Sequence, residues 1–121
     1  MIVYIAGPLE TGPSSVNDNV RRACQVAEWV RGEGHVPYVP HTSVLWDAMW
    51  PHPRDYWMGL CLEWVAVSDC VLRLPGESHG ADAEVAEAKR LGIPVVLLDP
   101  AGEWRRAWPL WMRADEHAGL P

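Results

Sequence analysis

The stretch Pro75-Gly-Glu-Ser-His-Gly-Ala-Asp-Ala-Glu84 joins a short apolar run to a helical pattern through a turn, and it decides how the chain can fold. The run before it, residues 70–74, is predicted to be a strand, and residues 80–91 are predicted to be a helix. A strand that passes through a glycine-containing turn into a helix is one half of a β-α-β unit. Such units build parallel sheets.

The same alternation of strand and helix continues through the rest of the chain. Strands are predicted at 2–6, 36–40, 70–74 and 94–99, and helices at about 16–34, 55–68 and 80–91. We therefore predict an α/β fold: a single domain over residues 1–121, with a flavodoxin/Rossmann-like parallel sheet of four to five strands and helices on both faces. The prolines of the second strand favour an edge position.

Residues 40–54 show no sustained period, and we interpret them as a long loop with about one helical turn. The loops that leave the first three strands should share one rim of the sheet, where ligands bind in such folds. His41 and Trp46 lie in this loop, where they could stack on a flat aromatic ligand or simply close the fold.

Composition narrows the class of partner. The formal charge is -6, and the ten basic residues are scattered, which argues against nucleic acid or an anionic membrane as the main partner. A small ligand is favoured instead. Three cysteines without Cys-x-x-Cys spacing predict free thiols in a reducing compartment, and no metal site is expected. With no basic leader and no run near the roughly 18 apolar residues of a membrane span, we expect a cytoplasmic protein.

Glu84 is the sharpest candidate for chemistry. In the predicted helix it falls between Ala88 and Leu91, inside the apolar arc rather than opposite it, and burying a carboxylate is costly unless something uses or compensates it. We expect Glu84 in the first helical turn, where free amides and the helix dipole favour the ionised form. Such a carboxylate could act as a nucleophile or stabilise a developing cation. The alternative is an acid that merely stabilises the helix start.

Three further candidates surround Glu84. Ser78 could donate to an anionic group such as a phosphate, or simply cap the helix. Tyr4 could orient a carboxylate or a sugar hydroxyl, or pack in the core. The Gly7-x4-Gly12-Pro13 loop has proline where a phosphate-binding P-loop has lysine, which argues against nucleoside triphosphate chemistry. Its glycines could still let backbone amides approach a ligand.

A joint pattern links these residues to a known superfamily. It consists of Tyr4-Ile-Ala-Gly7, Val-Pro-Tyr-Val-Pro-His41, Ser78-x-Gly80-x3-Glu84, Ala88 and Gly92-Ile-Pro-Val. Over about residues 1–99 the chain resembles the nucleoside 2-deoxyribosyltransferase superfamily, and within it looks most like a family of small bacterial and phage domains. The resemblance implies a deoxyribosyltransferase-like fold and cleavage of an N-glycosidic bond in a nucleotide or nucleoside.

The resemblance also implies roles for individual residues. Glu84 would attack the anomeric carbon and Tyr4 would position it. The sugar-phosphate site would be lined by Gly7, Pro8, Ser78 and Gly80, with His41 and Trp46 near the base. Serine at 78 is similar to the nucleoside 5'-monophosphate hydrolases, whereas the transferases carry aspartate there. The resemblance further suggests a homo-oligomer that needs no cofactor.

Two departures from the superfamily pattern leave other functions open. Cys61 stands where an aspartate is common, with Asp55 and Glu63 as possible substitutes, and Pro8 stands where the monophosphate hydrolases tend to have a serine. The alternative is a catalytically weak nucleotide-binding or sensing module on the same fold. A third possibility is an interaction protein that docks a partner through the tryptophan-rich tail, residues 100–121. Trp104, Trp108 and Trp111 in that tail suggest an interface or a lid.

Overall fold

The structure, a computed structural model, describes residues 1–12 and 15–98. In that part of the chain the strands are β1 (Ile2–Ala6), β2 (Val36–Tyr38), β3 (Cys70–Arg73) and β4 (Val95–Leu97). The helices are α1 (Val16–Gly32), α2 (Ser43–Met49), α3 (Arg54–Ala66) and α4 (His79–Arg90), with a short 3₁₀ turn at Pro40–Thr42.

The four described strands form one sheet in the order β2-β1-β3-β4, and every neighbouring pair is parallel. The predicted α/β fold with a parallel sheet is therefore confirmed. β2 lies at the edge, as its prolines indicated, because Pro37 has no N–H to donate to a second neighbouring strand.

Both faces of the central strand β1 are buried. Val3 and Ile5 point into one core, which α1 covers, while Tyr4 and Ala6 point into the other, which α3 and α4 cover. This is why the first strand contains apolar residues without alternation. Helices accordingly cover both faces of the sheet.

The strand order creates a crevice at one end of the sheet. The chain runs from β1 to β2 on one side and then crosses to β3 on the other side of β1. The connections that leave β1 and β3 therefore diverge, and a ligand can enter between them at the carboxyl ends of these strands.

The segment after β2 differs from the prediction. Residues 40–49 form the 3₁₀ turn and the two-turn helix α2 rather than a long loop. Pro40 starts the 3₁₀ turn. Leu45, Met49 and Trp50 are exposed, so no buried stripe marks the helix in the sequence.

Further findings concern the tryptophan-rich tail and the helices of the described chain. The tail residues Trp104, Trp108 and Trp111 lie outside it. At the start of α1, Ser15 caps the helix by accepting a hydrogen bond from the Asp18 amide. Among the described helices, none combines the length and apolar character needed to cross a bilayer.

Candidate active site

A cavity of about 550 Å³ opens beyond the carboxyl ends of β1 and β3. Its wall is built from the loop after β1, the 40–48 segment, the first half of α3 and the start of α4. These are the loops that the parallel topology brings to one rim.

The start of α4 forms one side of this cavity. The Ser78 hydroxyl oxygen caps the helix, accepting from the Ala81 amide at 3.1 Å. Its own proton remains available to a ligand, since a hydroxyl both donates and accepts. The preceding Gly76 has a φ of +114°, and a Cβ there would lie 2.9 Å from Cγ of Pro8, so glycine is required for this approach.

Glu84 lies inward from the helix start, on the cavity wall. As predicted, its side chain is buried, with 6% of the residue exposed. Its Oε2 has no hydrogen-bond partner among the described residues. Buried polar atoms in folded proteins are almost always hydrogen-bonded, so a carboxyl oxygen without a partner calls for an explanation.

The expected position of Glu84 in the first turn of the helix is wrong. The helix begins at His79, so Glu84 is its sixth residue and lies in the second turn, beyond the free amides. Burial raises its pKa from 4.5 to about 7, although Tyr4 and Arg73 act in the opposite direction. Desolvation therefore outweighs the effects of the Tyr4 hydroxyl and the Arg73 guanidinium.

Tyr4 is fully buried on β1, beside Glu84 and Cys61. Neither its hydroxyl nor Glu84 Oε2 has a hydrogen-bond partner among the described residues. The two groups still interact, because the Tyr4 hydroxyl lowers the Glu84 pKa. Burial and the Glu84 charge raise the Tyr4 pKa, so the phenol stays protonated. Tyr4 does not line the cavity, whereas its two neighbours do.

Cys61 occupies the part of the cavity wall next to Tyr4 and Glu84. Burial raises the pKa of its thiol, which is therefore neutral at physiological pH. Asp55 and Glu63 are exposed and do not line the cavity. Neither of these α3 carboxylates replaces the missing aspartate.

Arg73 fixes the loop that leads into α4. Its guanidinium donates to the carbonyl oxygens of Leu74 and Gly76, and to Asp82 Oδ1 at 3.0 Å. These bonds tie the turn to the first helical turn, and the positive charge helps to lower the Glu84 pKa.

His41 joins the 3₁₀ turn to the loop after β1. It is buried, and its Nε2 lies 3.1 Å from the Gly7 carbonyl oxygen. Burial lowers the His41 pKa, so the neutral imidazole donates from Nε2 to that oxygen. A Cβ at Gly7 would lie 2.9 Å from Cβ of Leu74, which explains why the residue is glycine.

The aromatic wall differs from the prediction. Trp46 is half exposed and does not line the cavity, whereas Trp57 does. The Trp57 Nε1 donates to Asp47 Oδ1 at 2.7 Å, and the His52 amide donates to the same oxygen at 3.0 Å. These two hydrogen bonds lower the Asp47 pKa.

Sequence reasoning missed Asp47 and Trp57 for identifiable reasons. Trp57 fits the apolar stripe of α3, so its period indicated a core residue. Asp47 stood in a segment interpreted as a loop, and nothing in its spacing linked it to Trp57.

Comparison with a family model decides where the chain belongs. Residues 1–97 match the family described as a domain of unknown function, DUF4406. The chain belongs to this family. No curated protein matches the sequence.

Two solved structures resemble this DUF4406 chain. One is the 2-deoxyribosyltransferase from Bacillus psychrosaccharolyticus, with a TM-score of 0.61 and 19% identity over 83% of this chain and 73% of that one. The other is a conserved protein from Enterococcus faecalis V583, with a TM-score of 0.65 and 20% identity over 93% of this chain and 77% of that one. The deoxyribosyltransferase-like fold is therefore confirmed.

The DUF4406 cavity contains most, but not all, of the predicted site residues. Those that line it are Gly7, His41, Ser78, Gly80 and Glu84. Those that do not are Tyr4, Pro8 and Trp46. Among residues 1–12 and 15–98, no three His, Cys, Asp or Glu side chains are placed to hold a metal ion.

Asn19 holds the loop after β1 in this DUF4406 domain. Its buried amide donates to the carbonyl oxygens of Leu9, at 2.8 Å, and Thr11, at 3.3 Å. Asn19→Ala should lower the free energy of unfolding by about 1–2 kcal/mol in urea titrations, because both bonds are lost. Asn17→Ala on an exposed face of α1 is the matched control, and equal losses in the two variants would contradict this role.

Proposed function

We propose that the protein cleaves the N-glycosidic bond of a nucleoside 5'-monophosphate or related nucleoside, with Glu84 as the nucleophile. The observation that carries the proposal is the Glu84 carboxyl, which is buried on the cavity wall with one oxygen unpartnered among the described residues. The fold shared with a 2-deoxyribosyltransferase supports it.

In the proposed reaction the ionised Glu84 attacks the anomeric carbon of the sugar. A C–O ester bond forms, the C–N bond breaks, and the base leaves with the bonding electron pair and takes up a proton. Water or a second base then displaces the sugar from Glu84. Tyr4 is a positioning residue, because its protonated hydroxyl lies beside the carboxyl and favours its ionised form.

The phosphate end of the substrate is assigned to the start of α4. Ser78, His79 and Gly80 line the cavity there, and the helix N-terminus favours an anion. Arg54, which also lines the cavity, adds a positive charge to its wall. The proposed 5'-phosphate would bind to groups that the fold already holds in position.

Ser78→Asp should weaken nucleoside monophosphates relative to the corresponding nucleosides by about 10-fold or more. The variant keeps a good helix cap but sets a carboxylate beside the phosphate. The measurement is the ratio of kcat/KM values for each monophosphate and its nucleoside. Ser15→Asp, which adds the same charge at the α1 cap outside the cavity, is the control, and an unchanged ratio in Ser78→Asp would refute the phosphate role.

The direct test of the proposal is release of free base. The protein is incubated with a panel of ribo- and deoxyribonucleoside monophosphates and nucleosides, and bases are separated by chromatography. A second base added in excess distinguishes transfer from hydrolysis, since transfer yields a new nucleoside. Failure of the whole panel, at protein concentrations near that of the substrate, would reject the glycosidase.

A nucleotide-binding or sensing module is the second candidate, and the Cys61 thiol favours it. A neutral thiol beside Glu84 cannot supply the acid or base catalysis of a carboxylate. Nucleotide binding by calorimetry without any base release would support this alternative. The expected homo-oligomer stays a prediction, because it rests on the resemblance and on tryptophans outside the described residues.

A further inference from the structure

We propose that Asp47 recognises the base, with its Oδ2 accepting a hydrogen bond from an exocyclic amino group. The cavity would then select amino-bearing bases over their keto counterparts. This inference rests on the proposed function for the identity of the ligand as a nucleotide. It assigns a specificity-determining role to a residue that the catalytic step does not use.

The two oxygens of Asp47 have different surroundings. Oδ1 accepts from the Trp57 indole at 2.7 Å and from the His52 amide at 3.0 Å, so the carboxylate cannot rotate freely. Oδ2 accepts no hydrogen bond within residues 1–12 and 15–98, and the side chain lines the cavity. One oxygen is thus fixed by the protein while the other remains for a ligand.

The charge state of Asp47 determines which ligand group it can bind. Its two hydrogen bonds hold the pKa below the usual value, so the group is ionised at neutral pH. An ionised carboxylate only accepts hydrogen bonds. A ligand must therefore present an N–H or O–H at this point, and a carbonyl oxygen would be repelled.

Trp57 indicates that the ligand group belongs to a base rather than to the sugar. Its indole lines the same cavity and is anchored at its Nε1 by Asp47. Edge contacts with Trp46, at 4.9 Å between ring centroids, and with Tyr56, at 5.1 Å, hold the ring further. An ordered aromatic ring beside a fixed acceptor suits a flat heterocycle with a donor on its edge.

The position of Asp47 in the fold is consistent with this role. It lies on α2, whereas Glu84 lies on α4, and both side chains face one cavity. A nucleotide with its anomeric carbon at Glu84 and its phosphate at the α4 start would extend its base toward the remaining walls. Those walls include α2 and the start of α3.

Calorimetric binding to the Glu84→Gln protein tests the inference without turnover. The probes are two matched pairs, dAMP with dIMP and dCMP with dUMP, which differ by amino against keto. The amino members should bind about 10-fold more tightly, as expected for a hydrogen bond to a charged group. Asp47→Asn, made in the same protein, keeps an Oδ1 acceptor for Trp57 and His52 but places an amide donor at the other atom, so the preference should vanish or reverse.

Asp55→Asn is the matched control, because this exposed α3 carboxylate does not line the cavity. An equal amino preference before and after Asp47→Asn would overturn the inference, as would binding of none of the four probes. If Asp47→Asn instead changes the ratio of the AMP and dAMP affinities, then Asp47 binds a sugar hydroxyl, and the inference is overturned. Amino-selective binding that depends on Asp47, without base release by the wild type, would reject the glycosidase and leave this inference standing.

Discussion

Glu84→Gln should abolish base release, lowering kcat by at least about 10⁴-fold, because an amide cannot form the glycosyl ester. The same assignment predicts the pH profile of the wild type. Since burial raises the Glu84 pKa to about 7, kcat should increase with pH until the carboxyl is ionised, with a midpoint near that value. Steady-state base release across a pH series measures both effects.

Glu77→Gln is the matched control for this loss of activity. Glu77 lies in the same β3–α4 connection, but it is exposed and does not line the cavity. The Glu77→Gln variant should keep kcat within about twofold of the wild-type value. Full activity in Glu84→Gln would show that another group attacks the sugar. If kcat does not change with pH near neutrality, ionisation of Glu84 does not control the rate-limiting step.

The inward position of Glu84 was predictable because helical geometry relates it to apolar neighbours. Ala81 and Ala88 lie on the same face, and both are buried in the structure. A continuous apolar first strand likewise predicted burial on both faces, and the prolines of β2 predicted an edge. These features depend on local periodicity, which a single sequence contains.

The charge state of Glu84 was not predictable, since it depends on the sum of several opposed effects. The helix dipole suggested an ionised group, but the structure places the carboxyl beyond the free amides and inside the fold. Desolvation then dominates. How completely a side chain is buried is set by tertiary packing, which the position in a helix does not reveal.

Asp47 and Trp57 were missed for a related reason. They are ten residues apart and belong to different helices, and only the chain reversal between α2 and α3 brings the indole to the carboxylate. Trp46 carried the same aromatic signal as Trp57 in the sequence, yet it lies outside the cavity. Residue type identified an aromatic wall without identifying which tryptophan forms it.

Burial of Glu84 connects the proposed chemistry to stability. A partly desolvated carboxylate is a better nucleophile than a hydrated one, but the fold must accommodate its charge once it ionises. Arg73 and Tyr4 lower this cost without removing it, because the Glu84 pKa stays near 7. The wild-type protein should therefore be less stable in the protonation state that the reaction requires.

Glu84→Gln should raise the free energy of unfolding by about 3 kcal/mol at pH 8 and by much less at pH 4.5. In the unfolded chain the carboxyl loses its proton near pH 4.5, whereas in the folded protein it does so only near pH 7. Between these values the native state binds the extra proton, so wild-type stability falls as the pH rises. Glutamine has no charge to bury, so the variant escapes this loss.

Urea unfolding of both proteins at several pH values measures the difference, and the other titrating groups cancel because they are common to both. Glu77→Gln, which removes an exposed carboxylate outside the cavity, is the matched control. A Glu84→Gln protein no more stable than the wild type at pH 8 would mean that Arg73 and Tyr4 fully compensate the charge. Glu84 would then be ionised well below pH 7, and the predicted midpoint of the activity profile would move down with it.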